Sequence, residues 1–148
     1  IAASYMHPRL DNDQKKKGLS KKRLANLLKR WQEKLLLSDW EINIKIVDFK
    51  RKDFRQSGDF IADLKNKKAT IFMTVSPFMK DRNTIAKEEE KTLVHELIHI
   101  CLWDLDNFIE KTIFKKHSKN YKFYNIYMEK LENLVEKLTG NFLKNRKG

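Results

Sequence analysis

The first part of the chain shows two hydrophobic periods in succession. Apolar residues first recur at helical spacing, at Leu24, Leu27, Leu28, Trp31 and Leu35. With Ser20 as the N-cap, this spacing predicts a scaffold helix over about residues 20–37. After Asp39 the period becomes two, with apolar residues at Trp40, Ile42, Ile44 and Ile46. Such alternation predicts a half-buried strand.

Two further stretches alternate on either side of the polar turn KNKK. Their apolar positions are Phe60, Ala62 and Leu64 before the turn, and Ala69, Ile71, Met73 and Val75 after it. Short strands around a tight polar connection predict an antiparallel hairpin, which Pro77 ends because proline has no N–H for the ladder. The free edge of this hairpin could receive an extended peptide through main-chain hydrogen bonds.

The second half of the chain returns to helical periodicity. A helix capped by Asn83 or Thr84 is predicted to end near Asp104, and residues 106–116 carry only part of a helical pattern. A last helix is predicted from Lys119, with an apolar stripe at Tyr124, Met128, Leu131, Val135 and Leu138. Gly140 is a natural C-terminal stop for this helix.

The order of these elements predicts one α+β domain with a small, mostly antiparallel sheet, a scaffold helix, a central helix and a C-terminal helix. A chain of 148 residues is long enough for one such core. Residues 1–18 are predicted to be a flexible basic arm, residues 19–143 the domain, and residues 144–148 a basic tail.

The net charge of +12 is concentrated at the two ends. Residues 1–34 carry ten basic and three acidic groups, and residues 111–148 carry the same numbers, whereas the centre is slightly acidic. Basic ends can attract nucleic acid, although they also suit the solvated faces of amphipathic helices. The single cysteine, Cys101, is predicted to fill the core, and the absence of an apolar run long enough for a membrane predicts a soluble, cytoplasmic protein.

The central helix contains the sequence TLVHELIHICLW, which places His95 and His99 four residues apart, with Glu96 directly after the first. Residues four apart lie on one face of a helix, so both imidazoles can bind one metal ion. This is the HExxH pattern of zinc hydrolases, in which the glutamate is the general base that takes a proton from water at the metal. The other positions around this helix are mostly apolar, so the three ionisable groups are predicted to be buried and to need a partner or a metal.

A catalytic zinc site usually has a third protein ligand, which must come from downstream here. The metzincin pattern is excluded because its glycine and its third histidine would fall at Leu102 and Leu105. Asp104 and Asp106 follow the motif and could hydrogen-bond a ligating histidine from behind, or could serve only as helix-end residues.

Three downstream residues are candidates for the third ligand: His117, Glu129 and Glu132. Helical geometry places Glu132 at the border of the buried face of the last helix, whereas Glu129 and Glu136 are expected to be solvated charges. His117 is a better ligand type than a carboxylate but lies in the polar sequence KKHSKN. Glu132 is preferred, with His117 as the alternative.

The sequences WQEKLLLSDWEINIKIV, KKATIFM, TLVHELIHICLWDLD and YMEKLENLVEKL together resemble the small zinc metallopeptidases encoded by bacteriophages, which look like reduced glu-zincins. This resemblance covers nearly the whole domain and implies a zincin-like fold, with His95, His99 and Glu132 as zinc ligands and Glu96 as the base. The stretch KKHSKNY is instead similar to the histidine motif of SprT-like proteases, in which case His117 would be the third ligand.

The expected function is therefore Zn²⁺-dependent hydrolysis of peptide bonds in a protein or peptide substrate. Two alternatives are a nucleic-acid-associated protein in which zinc is only structural, and an SprT-like protease that acts on DNA-bound proteins. Both alternatives depend on nucleic acid binding through the basic ends.

Overall fold

The structure is a computed structural model and describes residues 21–47, 58–74 and 82–145. Three helices and one three-stranded sheet form an α+β fold, which confirms the predicted class. The elements in chain order are α1 (Lys21–Lys34), β1 (Glu41–Val47), β2 (Gly58–Asp63), β3 (Lys68–Thr74), α2 (Arg82–Thr112), a 3-10 turn (Tyr121–Phe123) and α3 (Tyr124–Lys144).

Helix α1 is the predicted scaffold helix, and it ends three residues earlier than expected. Its buried residues are those of the predicted stripe, Leu24, Leu27, Leu28 and Trp31. Leu36 then adopts a positive φ of 59°, and the backbone N–H groups of Leu36 and Leu37 donate to the carbonyls of Glu33 and Gln32. This pattern satisfies the last carbonyls of the helix and turns the chain toward β1. The predicted cap Ser20 lies outside the described residues.

The sheet is mixed, which corrects the prediction of a mostly antiparallel one. The hairpin between β2 and β3 is confirmed, with Phe60 opposite Ile71 and Asp63 opposite Lys68. However, the strand order is β1-β3-β2, and β1 pairs in parallel with β3. Alternation within a strand reports which residues are buried, but it does not report which strand lies alongside.

The central position of β3 explains why it is more buried than its pattern predicted. Ile71, Phe72 and Met73 are all buried in succession, although strict alternation would expose Phe72. Ile71 and Met73 join the main core, together with apolar residues of α1 and α2. The sheet therefore supports the motif helix from one side.

Helix α2 contains the HExxH motif and continues to Thr112, eight residues beyond the predicted end at Asp104. Its core-facing residues in the motif region are Leu93, Val94, Leu97, Ile98 and Ile100. The extension was not predicted because two apolar residues, Leu105 and Phe108, occupy positions of the helix that face solvent. They are 61% and 60% exposed, so the sequence shows no regular amphipathic pattern there. The residues between Asp104 and Thr112 include no proline or glycine that would end the helix.

Two further predictions about single residues are wrong. Helix α3 passes through Gly140, where no atom lies within 4 Å of an added Cβ, and ends at Lys144. Cys101 is exposed rather than buried, with its Sγ 3.5 Å from the carbonyl of Leu35. This position faces the residues that directly follow α1. Within the described part of the chain, no helix is both long and apolar enough to cross a membrane.

Candidate metal centre

Helices α2 and α3 pack against each other in antiparallel directions. Contacts run in opposite order along the two helices, with Glu110 bound to Tyr124, Asp106 to Tyr127, His99 to Glu132 and His95 to Glu136. Because both histidines and both glutamates are four residues apart, each pair lies on one face of its helix. The motif histidines of α2 therefore face two carboxylates of α3.

The structure brings His95, His99 and Glu132 together as a set that could hold a metal ion. The Nε2 of His99 lies 2.8 Å from Oε1 of Glu132, and the Nε2 of His95 lies 3.4 Å from Oε2 of the same carboxylate. One ligand atom from each residue lies within 4.8 Å of the others. His99 is buried, and the side chains of His95 and Glu132 are partly buried.

These distances suit a small ion with nitrogen and oxygen ligands. Two ligands about 2.0–2.1 Å from a tetrahedral zinc ion lie about 3.3 Å apart. The separation of 3.4 Å between His95 and Glu132 already has this value, and that of 2.8 Å between His99 and Glu132 requires a shift of about half an ångström. These two separations, which involve the two different oxygens of the Glu132 carboxylate, are close to those between the ligands of a zinc ion.

The pKa values of Glu132 and His95 reflect the proximity of the three side chains. Hydrogen bonds from His95 and His99 hold the pKa of the Glu132 carboxyl at about 2. Burial acts to lower the pKa of His95, but the hydrogen bond to Glu132 and the nearby carboxylates outweigh it and raise the pKa overall. A metal ion must displace protons from the nitrogens it binds, so metal affinity is expected to fall as the pH falls.

The carboxylate of Glu136 contacts Nδ1 of His95, the imidazole nitrogen that does not face Glu132. Its Oε1 lies 2.8 Å from Nδ1 of His95, which leaves Nε2 directed at Glu132. A carboxylate that accepts from one imidazole nitrogen fixes the tautomer and makes the other nitrogen a better ligand. The prediction that Glu136 is only a solvated charge is therefore wrong, and its spacing of four from Glu132 was the sequence signal that could have identified it.

The two aspartates considered for this supporting role do not occupy it. Asp106 is buried and accepts a hydrogen bond of 2.6 Å from the hydroxyl of Tyr127. Asp104 is exposed. Asp106 lies about 10 Å beyond His99 along the helix axis, since seven residues separate them. Its contact serves the packing of α2 on α3.

Removal of the Glu136 carboxylate is expected to weaken zinc binding without abolishing it. For Glu136→Ala we expect a loss of about ten- to hundredfold in affinity, the range typical of outer partners of ligating histidines. Competition with a chromogenic chelator measures this loss. Glu129→Ala, which removes an exposed carboxylate of the same helix, is the matched control. Equal affinities of the two variants would contradict the role assigned to Glu136.

Glu96 lies beside the candidate metal ligands and is buried. Burial is the main cause that raises the pKa of its carboxyl from 4.5 to about 7, while the imidazoles of His99 and His95 act in the opposite direction. Asp59, on β2, contributes a smaller effect that also raises the pKa. A carboxyl whose pKa is near neutrality can both accept and return a proton.

Gly58 allows β2 to approach the motif helix closely. A Cβ at this position would lie 2.6 Å from Cγ2 of Thr92 and 3.3 Å from Cγ of Glu96. The first distance is shorter than side chains tolerate, so any larger residue would force β2 and α2 apart. This role of Gly58 could not be predicted from the sequence, because a close approach between elements leaves no mark on local periodicity.

Aromatic rings cover one side of the histidines. Phe60 stacks on the His99 imidazole, with ring centroids 5.5 Å apart and an angle of 20° between the planes. Trp103 meets Phe60 edge to face at the same centroid distance. These rings fix the orientation of His99 and make the surroundings of the site apolar on the side of β2.

The alternative ligand His117 is not part of this arrangement. It is exposed in the connection between α2 and α3, with a positive φ of 69°. Within the described ranges, the His, Cys, Asp and Glu groups close enough to share a metal ion consist of His95, His99 and Glu132. Of the two preferred candidates, Glu132 is therefore the one that the fold places against the motif histidines.

Comparison with known proteins gives no match. No protein-family model, no curated protein sequence and no solved structure is similar enough to this chain to be matched with it. The functional assignment therefore depends on the chemistry of the site itself.

Proposed function

We propose that this protein is a zinc-dependent peptidase with a zincin-like arrangement of its site. The observation that carries the proposal is the convergence of the His95 and His99 nitrogens with the Glu132 carboxylate, directly beside the buried carboxyl of Glu96. Three ligands and a neighbouring base are what metal-assisted hydrolysis requires.

The ligand set favours zinc over other common ions. Two imidazoles and one carboxylate are the ligands of catalytic zinc in several hydrolases, whereas magnesium and calcium prefer oxygen ligands alone. Structural zinc sites usually have four protein ligands. The set of three within the described residues supports a catalytic role and argues against the alternative of a purely structural zinc.

Different residues of the site would carry out metal binding and proton transfer during hydrolysis. When bound, zinc would lower the pKa of water and polarise the substrate carbonyl. His95, His99 and Glu132 would hold the ion, and Glu136 would keep His95 in the binding tautomer. Glu96 would accept the proton of the attacking water and pass it to the nitrogen of the departing amine.

The edge of β2 is the proposed position of the substrate backbone. In the described part of the sheet, β2 pairs only with β3, so its other edge has main-chain groups available for a peptide. Phe60 of this strand also contacts His99. A peptide that extended β2 would therefore run alongside the metal ligands.

Removal of the metal provides the direct test of this function. We expect purified protein to cleave members of a peptide library, to lose this activity on treatment with a zinc chelator, and to regain it with about one equivalent of zinc per chain. Mass spectrometry of the products measures cleavage, and elemental analysis measures zinc. Cleavage that survives complete removal of zinc, or a zinc-loaded protein that cleaves no peptide, would contradict the proposal.

A further inference from the structure

The connection between α2 and α3, residues 111–123, has a high and uncompensated positive charge. It contains five lysines and no acidic residue: Lys111, Lys115, Lys116, Lys119 and Lys122. All five are exposed, and none of them forms an ion pair with another described residue. The nearest carboxylates upstream, Glu110 and Asp106, accept hydrogen bonds from Tyr124 and Tyr127 instead.

Helix electrostatics do not account for these lysines. Lys111 lies in the last turn of α2, where a cation is favourable. Lys115, Lys116, Lys119 and Lys122 come after that helix and before the start of α3, whose N-terminus is itself the positive end of a helix dipole. These four lysines therefore gain no stabilisation from either helix dipole, and their charges are available to an anion.

Exposed aromatic rings accompany this charge. Tyr121 and Phe123 are 43% and 48% exposed. Tyr121 stacks on Tyr124 with centroids 5.6 Å apart and planes within 6°, and Phe114 packs against Tyr124 from another direction. The hydrogen bond from Tyr124 to Glu110 holds this cluster to α2. Tyr121 is therefore held by neighbouring rings, and the ammonium group of Lys122 lies 5.1 Å from the centroid of the Phe123 ring.

We propose that residues 111–123 form a binding surface for single-stranded nucleic acid. Lysines can neutralise the phosphates, and unpaired bases can stack on exposed aromatic rings. An acidic peptide would use the lysines but does not carry a planar ring beside every charge as a nucleic acid does, and a duplex keeps its base faces stacked inside. The combination of both features therefore favours a single strand.

This surface is separate from the metal centre. Tyr124, which supports the rings, precedes Glu132 by eight residues, or about 12 Å along the helix axis. No residue of the 111–123 segment belongs to the metal-binding group. The proposal therefore stands independently of the peptidase, and its variants can be checked for folding by circular dichroism and thermal unfolding.

The first test measures how binding of a fluorescent single-stranded oligonucleotide depends on salt. For Lys116→Gln/Lys119→Gln/Lys122→Gln, we expect weaker binding and a slope of log K against log salt that is shallower by about 2, since each phosphate contact to a single strand contributes about 0.7. The matched control is Lys21→Gln/Lys22→Gln/Lys29→Gln, which removes the same charge from exposed positions of α1. Equal losses in the two variants would overturn the proposal, because they would indicate attraction to the net charge alone.

The second test separates stacking from charge. For Tyr121→Ser/Phe123→Ser, we expect affinity for the oligonucleotide to fall about ten- to hundredfold at an unchanged salt slope. Affinity for polyphosphate, which has no bases, should stay the same. Parent-like oligonucleotide binding by this variant would overturn the proposal, as would equal or tighter binding of a duplex, or binding of acidic peptides in place of nucleic acid.

Discussion

Glu132→Ala is expected to lower the affinity for zinc by more than about a hundredfold, beyond the loss expected from removal of an outer partner. The carboxylate lies 2.8 Å from Nε2 of His99 and 3.4 Å from Nε2 of His95, so its removal leaves a two-histidine site. Two imidazoles on one helix bind zinc weakly because half of a tetrahedral shell is then left to water. Chelator competition measures the affinity, and elemental analysis of the purified variant gives the stoichiometry.

His117→Ala is the matched control for this experiment. His117 is exposed and lies outside the group of metal-binding residues, so its removal should leave zinc affinity unchanged. The opposite pattern, with zinc lost from His117→Ala and retained by Glu132→Ala, would contradict the site described above. It would favour the SprT-like alternative, in which the histidine after the motif is a ligand.

The proximity of the two motif histidines and the burial of Glu96 could be predicted from sequence because their geometry is local. A spacing of four residues places His95 and His99 on one face of any helix, whatever the rest of the fold. The apolar positions around them predicted the burial that raises the pKa of Glu96. Neither inference depends on contacts that are distant in sequence.

The candidates for a third ligand could be ranked from sequence, but the sequence could not decide between them. The periodicity of the last helix placed Glu132 at the edge of its buried face, yet it could not give the register of α3 against α2. That register depends on contacts such as Asp106 with Tyr127, between residues 21 positions apart. The role of Glu136 was missed for the same reason, because it becomes apparent only when His95 is placed opposite.

The sheet was misjudged because strand order is a tertiary property. The hairpin between β2 and β3 joins neighbours in sequence and was predicted, whereas the parallel pairing of β1 with β3 joins Ile44 to Ile71 across the intervening strand. The consequence for the site is that β3 is central and β2 lies at the edge. This leaves Phe60 and the open edge of β2 beside the motif helix.

Glu96→Gln is expected to abolish peptide cleavage while zinc remains bound. Glutamine has nearly the same shape as glutamate but cannot accept the proton, and loss of a general base typically lowers the rate about 10²- to 10⁴-fold. The fold should tolerate the change, because burial already raises the pKa of Glu96 to about 7 and so favours a neutral group at this position. Measurement of kcat/KM together with zinc content separates the loss of chemistry from the loss of metal.

Glu96→Asp distinguishes a base from a structural carboxylate. Aspartate retains the acid but withdraws it by one methylene, about 1.5 Å, from the position at which Glu96 packs beside Gly58. A base that must reach the attacking water should lose most of its activity in this variant, whereas a carboxylate that only balances the charge of the site should lose little. Cleavage by Glu96→Gln at the parent rate would contradict the role of Glu96 altogether. Activity retained by Glu96→Asp but lost by Glu96→Gln would show that charge, rather than the position of a proton acceptor, is what the site requires.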